Sequence, residues 1–135
     1  MSIHLHLGDL PDNVEFGESV AIDTETQGLN TLRDRLCVVQ LSGRDDVCHL
    51  VHFPVPEYDA PNLRRLIEDN SVLKLFHFAR FDIAALNHYL GTDCRPIYCT
   101  KIASRLTRTY TDRHGLRELC RELLGVDLSK QQQSS

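Results

Sequence analysis

The stretch from Val20 to Leu29, VAIDTETQGL, joins an apolar run to two acidic residues, Asp23 and Glu25. Side chains two residues apart in a β-strand lie on the same face, so the two carboxylates project together if the strand continues through Glu25. Like charges at that spacing repel each other, and Mg²⁺ or Mn²⁺ relieves the repulsion because these ions prefer carboxylate oxygens. The pattern therefore predicts a metal site, although acidic residues also occur at solvated strand ends that turn into loops.

A third acidic residue, Asp82, lies in the segment HFARFDIAAL at residues 77–86. Phe78, Asp82 and Leu86 are four residues apart, which places Asp82 on the helical stripe expected to face the core. A buried Asp without a partner is rare. One alternative is that the positive end of the helix dipole stabilises this carboxylate in the first turn. Combined with Asp23 and Glu25, Asp82 completes a predicted carboxylate cluster drawn from a strand and a helix.

Apolar and β-branched runs predict the strands of this chain, and helical spacing of apolar residues predicts its helices. The segments alternate in a way that indicates an α/β domain with a mixed sheet. The predicted strands cover residues 19–23, 36–42, 46–53 and 72–76, and the predicted helices cover 60–70, 78–90, 101–106 and 116–124.

The two acidic segments also carry a family resemblance. AIDTETQGL resembles the first motif of the DEDD superfamily of 3'-to-5' exonucleases, and HFARFD resembles the second. The stretches RDRLCVVQ, CTKIASRLTRTYTDRHGL and SKQQQSS extend the similarity to the ribonuclease D-like group and, within it, to the nanoRNase C family. The resemblance implies a ribonuclease H-like fold, a mixed β-sheet flanked by helices, and one exonuclease domain over residues 1–135.

The same resemblance implies a mechanism with two divalent cations, Mg²⁺ or Mn²⁺, that activate a water and stabilise the leaving 3' oxygen. Asp23 would bridge both ions, Glu25 would bind one of them, and Asp82 would hold the second ion directly or through water. These three residues are the predicted catalytic and metal-binding residues.

The family pattern includes a third motif, with a fourth Asp preceded by a Tyr or a His. Tyr89 and His88 stand four and five residues before Asp93, but Asp93 is eleven residues beyond Asp82. That separation is roughly 16 Å along a helix, too far to share a metal pair. The resemblance places the third motif just beyond Ser135, so we expect a truncated chain that lacks its C-terminal part, and the activity of this polypeptide stays open.

Basic residues concentrate between residues 101 and 121, where six Lys or Arg stand against two Asp or Glu in a chain of net charge −4. They form two stripes that could hold phosphates. Taken singly, these residues are more typical of a solvated helix face, but as a group they are candidates for the surface that receives the 5' end of a short oligonucleotide, or for a subunit contact. By resemblance, Leu29 would be a wedge between the last two bases, and Thr26 and His77 would flank the 3' end. The predicted substrate-binding residues are Thr26, Leu29, His77, Lys101, Arg105 and Arg113; Arg108, Arg117 and Arg121 share the stripes.

Several aromatic and cysteine residues are expected to have structural roles rather than roles in substrate or metal binding. Phe76, Phe78 and Phe81 are expected in the core rather than as base-stacking platforms. Cys94 and Cys99 could suggest zinc, but no further suitably placed ligands accompany them, so we expect reduced thiols.

The leading hypothesis is a metal-dependent 3'-to-5' exoribonuclease that degrades short single-stranded RNA, down to dinucleotides, to nucleoside 5'-monophosphates. Alternatives are an exonuclease for DNA or longer structured RNA, and a nucleic-acid-binding or assembly module of the same fold without turnover. No apolar run is long enough to cross a bilayer, and no secretory signal is visible, so we expect a cytoplasmic protein without membrane contact. The resemblance also implies a ring-like homo-oligomer.

Overall fold

A computed structural model describes residues 1–128 of the chain. Its six strands form one sheet in the order β1-β4-β3-β2-β5-β6. The strands are β1 (Ser2–Leu7), β2 (Ser19–Thr26), β3 (Leu36–Ser42), β4 (Val47–His52), β5 (Leu73–Phe76) and β6 (Ile97–Cys99). The helices are α1 (Pro61–Glu68), α2 (Ala79–Leu90), α3 (Thr100–Thr107) and α4 (Leu116–Leu124).

The sheet is mixed, as the sequence predicts. The central strand β2 pairs antiparallel with β3 and parallel with β5. The four predicted strands and four predicted helices are all present, and β1 and β6 extend the sheet at its two edges. The segment SKQQQSS, residues 129–135, lies outside the described residues.

One face of the sheet packs against α1 and α2 and forms the core. Alternate residues of β2 point into it: Val20 and Ile22 are at most 3% exposed and belong to one apolar cluster with Ala85 and Leu86 of α2. This burial holds α2 against the centre of the sheet, which is the position that brings Asp82 to the end of β2. The described helices are at most twelve residues long, and none of them could span a membrane.

The aromatic residues around α2 differ from the sequence prediction in one case. Phe76 is 1% exposed and belongs to the core, as predicted. Phe78 is not in the core, because it precedes α2 with a left-handed backbone (φ 65°, ψ 58°) and is 43% exposed. The four-residue relation between Phe78 and Asp82 holds only inside a regular helix, so the prediction that Phe78 shares the buried stripe is wrong. Phe81 is partly buried.

Candidate active site

Asp23 and Glu25 lie on the same face of β2. The strand runs through Thr26, and burial alternates along it, with Ile22 and Thr24 buried and Asp23 and Glu25 exposed. A register shift in the pairing with β3 falls directly after Glu25. Such irregularities bend a strand and re-aim its side chains, so the acidic residues stand at the point where β2 leaves the regular sheet.

Asp82 lies in the first turn of α2 and is 4% exposed. Its Oδ1 accepts a hydrogen bond of 2.5 Å from Thr24 Oγ1 and a second one of 3.3 Å from the Thr24 backbone N–H. The same N–H also donates to Asp23 Oδ1 at 3.0 Å. Thr24 therefore joins the strand carboxylate to the helix carboxylate, although Thr24 and Asp82 are 58 residues apart in sequence.

The electrostatics of the three carboxylates show that they share one site. The pKa of Asp82 is raised to about 7: burial is the main cause, the hydrogen bonds from Thr24 oppose it, and the charges of Asp23 and Glu25 contribute to the rise. Desolvation also raises the pKa of Asp23, opposed by the backbone N–H of Thr24. The charges of Asp23 and Glu25 therefore act on the buried Asp82 and disfavour its ionisation.

The donor set of this site consists of carboxylate oxygens, the ligands that Mg²⁺ and Mn²⁺ prefer. A cation fits because its charge would offset the burial and the neighbouring negative charges that disfavour ionisation of Asp82. Within residues 1–128, no group of three or more His, Cys, Asp or Glu side chains has the arrangement of a metal ligand set. The three residues therefore have the chemistry that an oxygen-preferring cation needs, although the described side chains do not form a complete ligand set for one.

If Asp82 binds a metal ion and the site hydrolyses RNA, as the family resemblance implies, Thr24→Val is expected to lower the hydrolysis rate by about 10- to 100-fold, the usual cost of removing a group that orients a metal ligand. Valine keeps the shape of threonine but cannot donate to Asp82 Oδ1. Steady-state rates at saturating Mg²⁺ measure the effect. Thr107→Val is the matched control, because the Thr107 hydroxyl donates only to the Ala103 carbonyl in α3. Equal activity of the two variants would contradict an orienting role for Thr24.

The structure divides the predicted substrate-binding residues between two segments. Thr26 and Leu29 lie at the end of β2 and in the following loop, where Thr26 Oγ1 donates to the Gly28 carbonyl at 2.5 Å and Leu29 is 80% exposed. His77 and Lys101 lie together beside the N-termini of α2 and α3. His77 Nδ1 shares a hydrogen bond of 2.9 Å with Thr100 Oγ1, and desolvation together with the Lys101 charge lowers the pKa of His77.

The two basic stripes are not uniform. Arg105 and Arg113 are exposed, so phosphates could reach them. Arg108 is only 8% exposed and forms an ion pair with Glu122. It also donates to the Arg113 carbonyl at 2.8 Å. Arg108 therefore holds the loop between α3 and α4, which corrects the prediction that it belongs to a phosphate-binding stripe.

Two further arginines of the stripes have environments that differ from that of an unpaired basic residue at the surface. Arg121 pairs with Asp127 on the surface. The Nε atom of Arg117 is buried without a hydrogen-bond partner. Periodic spacing alone could not show that these guanidinium groups have separate environments.

Tyr89 and Asp93, whose spacing resembles that of the third motif, make other contacts in the structure. The Tyr89 hydroxyl donates to the Thr31 carbonyl at 2.7 Å, and its ring packs on Tyr58. Asp93 forms an exposed ion pair with Arg95. These contacts agree with the interpretation of Tyr89 and Asp93 as unrelated to the carboxylate site.

Two residues of this region were missed by sequence reasoning. Thr24 lies between the two acidic residues, and its buried position follows from strand alternation, which was the available signal. The exposure of Phe78 had no such signal, because a left-handed backbone at a residue other than glycine is uncommon.

Comparison with known proteins identifies the family. The family model described as 3'-5' exonuclease matches residues 6–135. Ribonuclease D of Granulibacter bethesdensis is 33% identical over 111 residues, which cover 82% of this chain and 28% of that protein. The chain thus spans less than a third of this curated relative.

Solved structures agree with this family. Brucella melitensis NrnC with bound Mg²⁺ superposes with a TM-score of 0.92 at 53% identity, covering 96% of this chain and 65% of that one. The same protein bound to pGG gives a TM-score of 0.93 at 54% identity, covering 100% and 66%. Escherichia coli RNase D, at 23% identity and a TM-score of 0.68, shares the fold.

The expected fold is confirmed, because the mixed six-stranded sheet and its helices match these nucleases. The resemblance to the ribonuclease D-like group and to nanoRNase C is confirmed as well. The chain belongs to the 3'-5' exonuclease family.

Proposed function

We propose that the chain carries the acidic metal-binding residues of a metal-dependent 3'-to-5' exoribonuclease. This enzyme would hydrolyse short RNA oligonucleotides, down to dinucleotides, to nucleoside 5'-monophosphates. The observation that carries the proposal is the buried Asp82 carboxylate, held by Thr24 within the field of Asp23 and Glu25. A cluster of carboxylates that repel each other lowers stability, and it is explained by a positively charged ligand.

The residues of the chain have distinct roles in the proposed reaction. Asp23, Glu25 and Asp82 would hold two divalent cations, Mg²⁺ or Mn²⁺, which supply charge neutralisation at the phosphate and an acidified water. Thr24 holds Oδ1 of Asp82 in place through two hydrogen bonds. The support for magnesium is chemical and comparative, since NrnC of Brucella melitensis has a structure with bound Mg²⁺.

A short substrate is supported by two observations. NrnC, a neighbour at 54% identity, has a structure with bound pGG. In this chain, Leu29 projects from the loop directly after the acidic strand with 80% of its surface exposed. An exposed leucine at this position fits a wedge between two bases, and His77 and Thr26 fit contacts to the terminal nucleotide.

The experiment is a digestion of 5'-labelled pGG and of 20-nucleotide RNA and DNA of one sequence, with Mg²⁺, with Mn²⁺ or with a chelator. We expect nucleoside 5'-monophosphates from the RNA substrates, pGG consumed fastest, and no products in chelator. Internal fragments of the long RNA, or intact pGG in the presence of both metals, would contradict the proposal. Faster digestion of DNA would redirect it to a DNA exonuclease.

A second candidate is a binding or assembly module of the same fold without turnover. One observation favours it, because no ligand set of three closes around a cation within the described residues. Calorimetric titration with Mn²⁺ separates the candidates. An exonuclease is expected to bind Mn²⁺ through its carboxylates, and a module without turnover need not bind it.

A further inference from the structure

Phe78 occupies an unusual position at the start of α2. It is the N-cap residue of the helix, its φ of 65° is left-handed, and Asp46 is the other non-glycine residue with positive φ between residues 1 and 128. Left-handed backbone is unfavourable for a residue with a bulky side chain. Its neighbours Phe76 and Ala79 are buried, while Phe78 remains 43% exposed. The backbone therefore turns an aromatic ring outward at a position directly before the buried Ala79.

The Phe78 ring is paired with a basic side chain. Lys101 of α3 places its Nζ 4.4 Å from the ring centroid, within the range of a cation–π interaction. The Lys101 charge also acts on the neighbouring His77, whose Nδ1 bonds to Thr100. The aromatic face of Phe78 and the ammonium group of Lys101 thus lie side by side, next to His77, which fits a substrate contact.

This pair is close to the acidic site. Phe78 is the N-cap residue of α2 and Asp82 lies in the first turn of the same helix, so both residues stand at the same end of α2. A nucleotide whose phosphate lies at the carboxylates extends several ångströms from it, so its base or the adjacent base comes within reach of the ring. Bases stack on aromatic side chains without regard to sequence, and a nearby ammonium binds the phosphate backbone.

We propose that the Phe78 ring is a stacking platform for a nucleobase of the substrate and that Lys101 holds the adjoining phosphate. This inference rests on the proposed function, because it assigns specificity residues to the same site. The proposal explains why the ring is exposed at a strained position. The alternative is a cation–π pair that only stabilises the ends of two helices, and such a pair does not require an exposed ring. A platform of this type favours unpaired nucleotides over duplex, since only an unstacked base can reach the ring.

The test uses a dinucleotide that contains 2-aminopurine, whose fluorescence falls when the base stacks. Ca²⁺ replaces Mg²⁺ so that binding is measured without turnover. We expect quenching on binding to the unmodified protein, and Phe78→Leu is expected to lose the quenching and to weaken binding by roughly five- to a hundredfold. Phe78→Tyr keeps a ring and is expected to retain both properties.

Phe16→Leu is the matched control, because Phe16 packs edge-on against His49, in the part of the sheet formed by β1 and β4. It is expected to bind and quench like the unmodified protein. Thermal unfolding of all variants removes the structural alternative: a purely structural Phe78 would lower the melting temperature of Phe78→Leu while quenching per bound dinucleotide stays unchanged. That result would overturn the inference.

Lys101→Met provides an independent measurement. Methionine keeps an apolar stem beside the ring but has no charge, so the variant is expected to keep the quenching and to bind more weakly, with a smaller salt dependence. In turnover assays with Mg²⁺, Phe78→Leu should raise KM with kcat within about twofold. An unchanged KM in an active protein would refute the platform and leave the exonuclease proposal standing. Quenched binding without hydrolysis would retain the platform and favour the binding module of the same fold.

Discussion

Replacing Asp82 by Asn is expected to lower hydrolysis of a short RNA by at least about a thousandfold while making the metal-free protein more stable above pH 7. Asparagine has the shape of aspartate and can still accept from Thr24 Oγ1, so the fold should persist. The activity falls because the amide has no charge to bind a cation. Rates with Mg²⁺ and chemical unfolding in chelator measure the two effects.

The sign of the stability effect follows from the pKa of Asp82. Burial raises this pKa from 3.8 to about 7 in the folded protein, so the folded state binds the proton more tightly than the unfolded state. The stabilisation from Asp82 is complete below pH 3.8 and is lost as the pH rises through about 7. The loss is on the order of 4 kcal/mol. Asp82→Asn has no such loss, so its free energy of unfolding should depend less on pH in this range.

Asp59→Asn is the control for Asp82→Asn, because Asp59 is an exposed carboxylate in the loop before α1. It should leave both turnover and the pH dependence of stability unchanged. If Asp82→Asn were instead destabilised at pH 8 in chelator, Asp82 would be an ordinary structural carboxylate rather than a strained one. The explanation of the site by a cation would then lose its main support.

Replacing Asp23 by Asn is expected to reduce turnover by a similar factor and to abolish calorimetric binding of Mn²⁺. Asp23 is the strand carboxylate that accepts from the Thr24 backbone, so it stands beside Asp82. Loss of its charge removes an oxygen donor and part of the field that attracts the ion. Titration of Mn²⁺ and digestion of pGG are measured on the same protein samples.

The combined outcome for Asp23→Asn decides between the two candidate functions. An exonuclease predicts that metal binding and turnover disappear together. A protein that binds RNA equally well before and after the substitution, without a metal signal in either case, would be a binding module. Asp59→Asn again serves as the control, and a loss of Mn²⁺ binding there would show that the titration reports non-specific acidic surface.

Local periodicity accounts for the parts of the fold that the sequence predicted correctly. Strand β3 was predicted with the bounds observed, Leu36–Ser42, because its β-branched and apolar residues have no helical spacing. The short β6 (Ile97–Cys99) was not predicted, because three residues are too few to show a period. It becomes a strand through its parallel pairing with β5.

Substrate-facing residues were harder to predict, because exposure depends on neighbours from other segments. Arg108 has the same spacing as Lys101 and Arg105 in the sequence, yet Glu122 from α4 draws it into the interior. Phe78 has the composition of a core residue, yet its left-handed backbone and Lys101 place it at the surface.

The sequence by itself determined that Asp23 and Glu25 share a face of one strand and that Asp82 lies on the buried side of a helix. Both are local properties, because they follow from the two-residue period of a strand and the 3.6-residue period of a helix. Only the tertiary structure decided that Thr24 bonds to Asp82 across 58 residues of sequence, and that burial together with the charges of Asp23 and Glu25 raises the pKa of Asp82. The physical reason is that strand order and the packing of α2 on β2 set the distance between distant segments, and no local period contains that information.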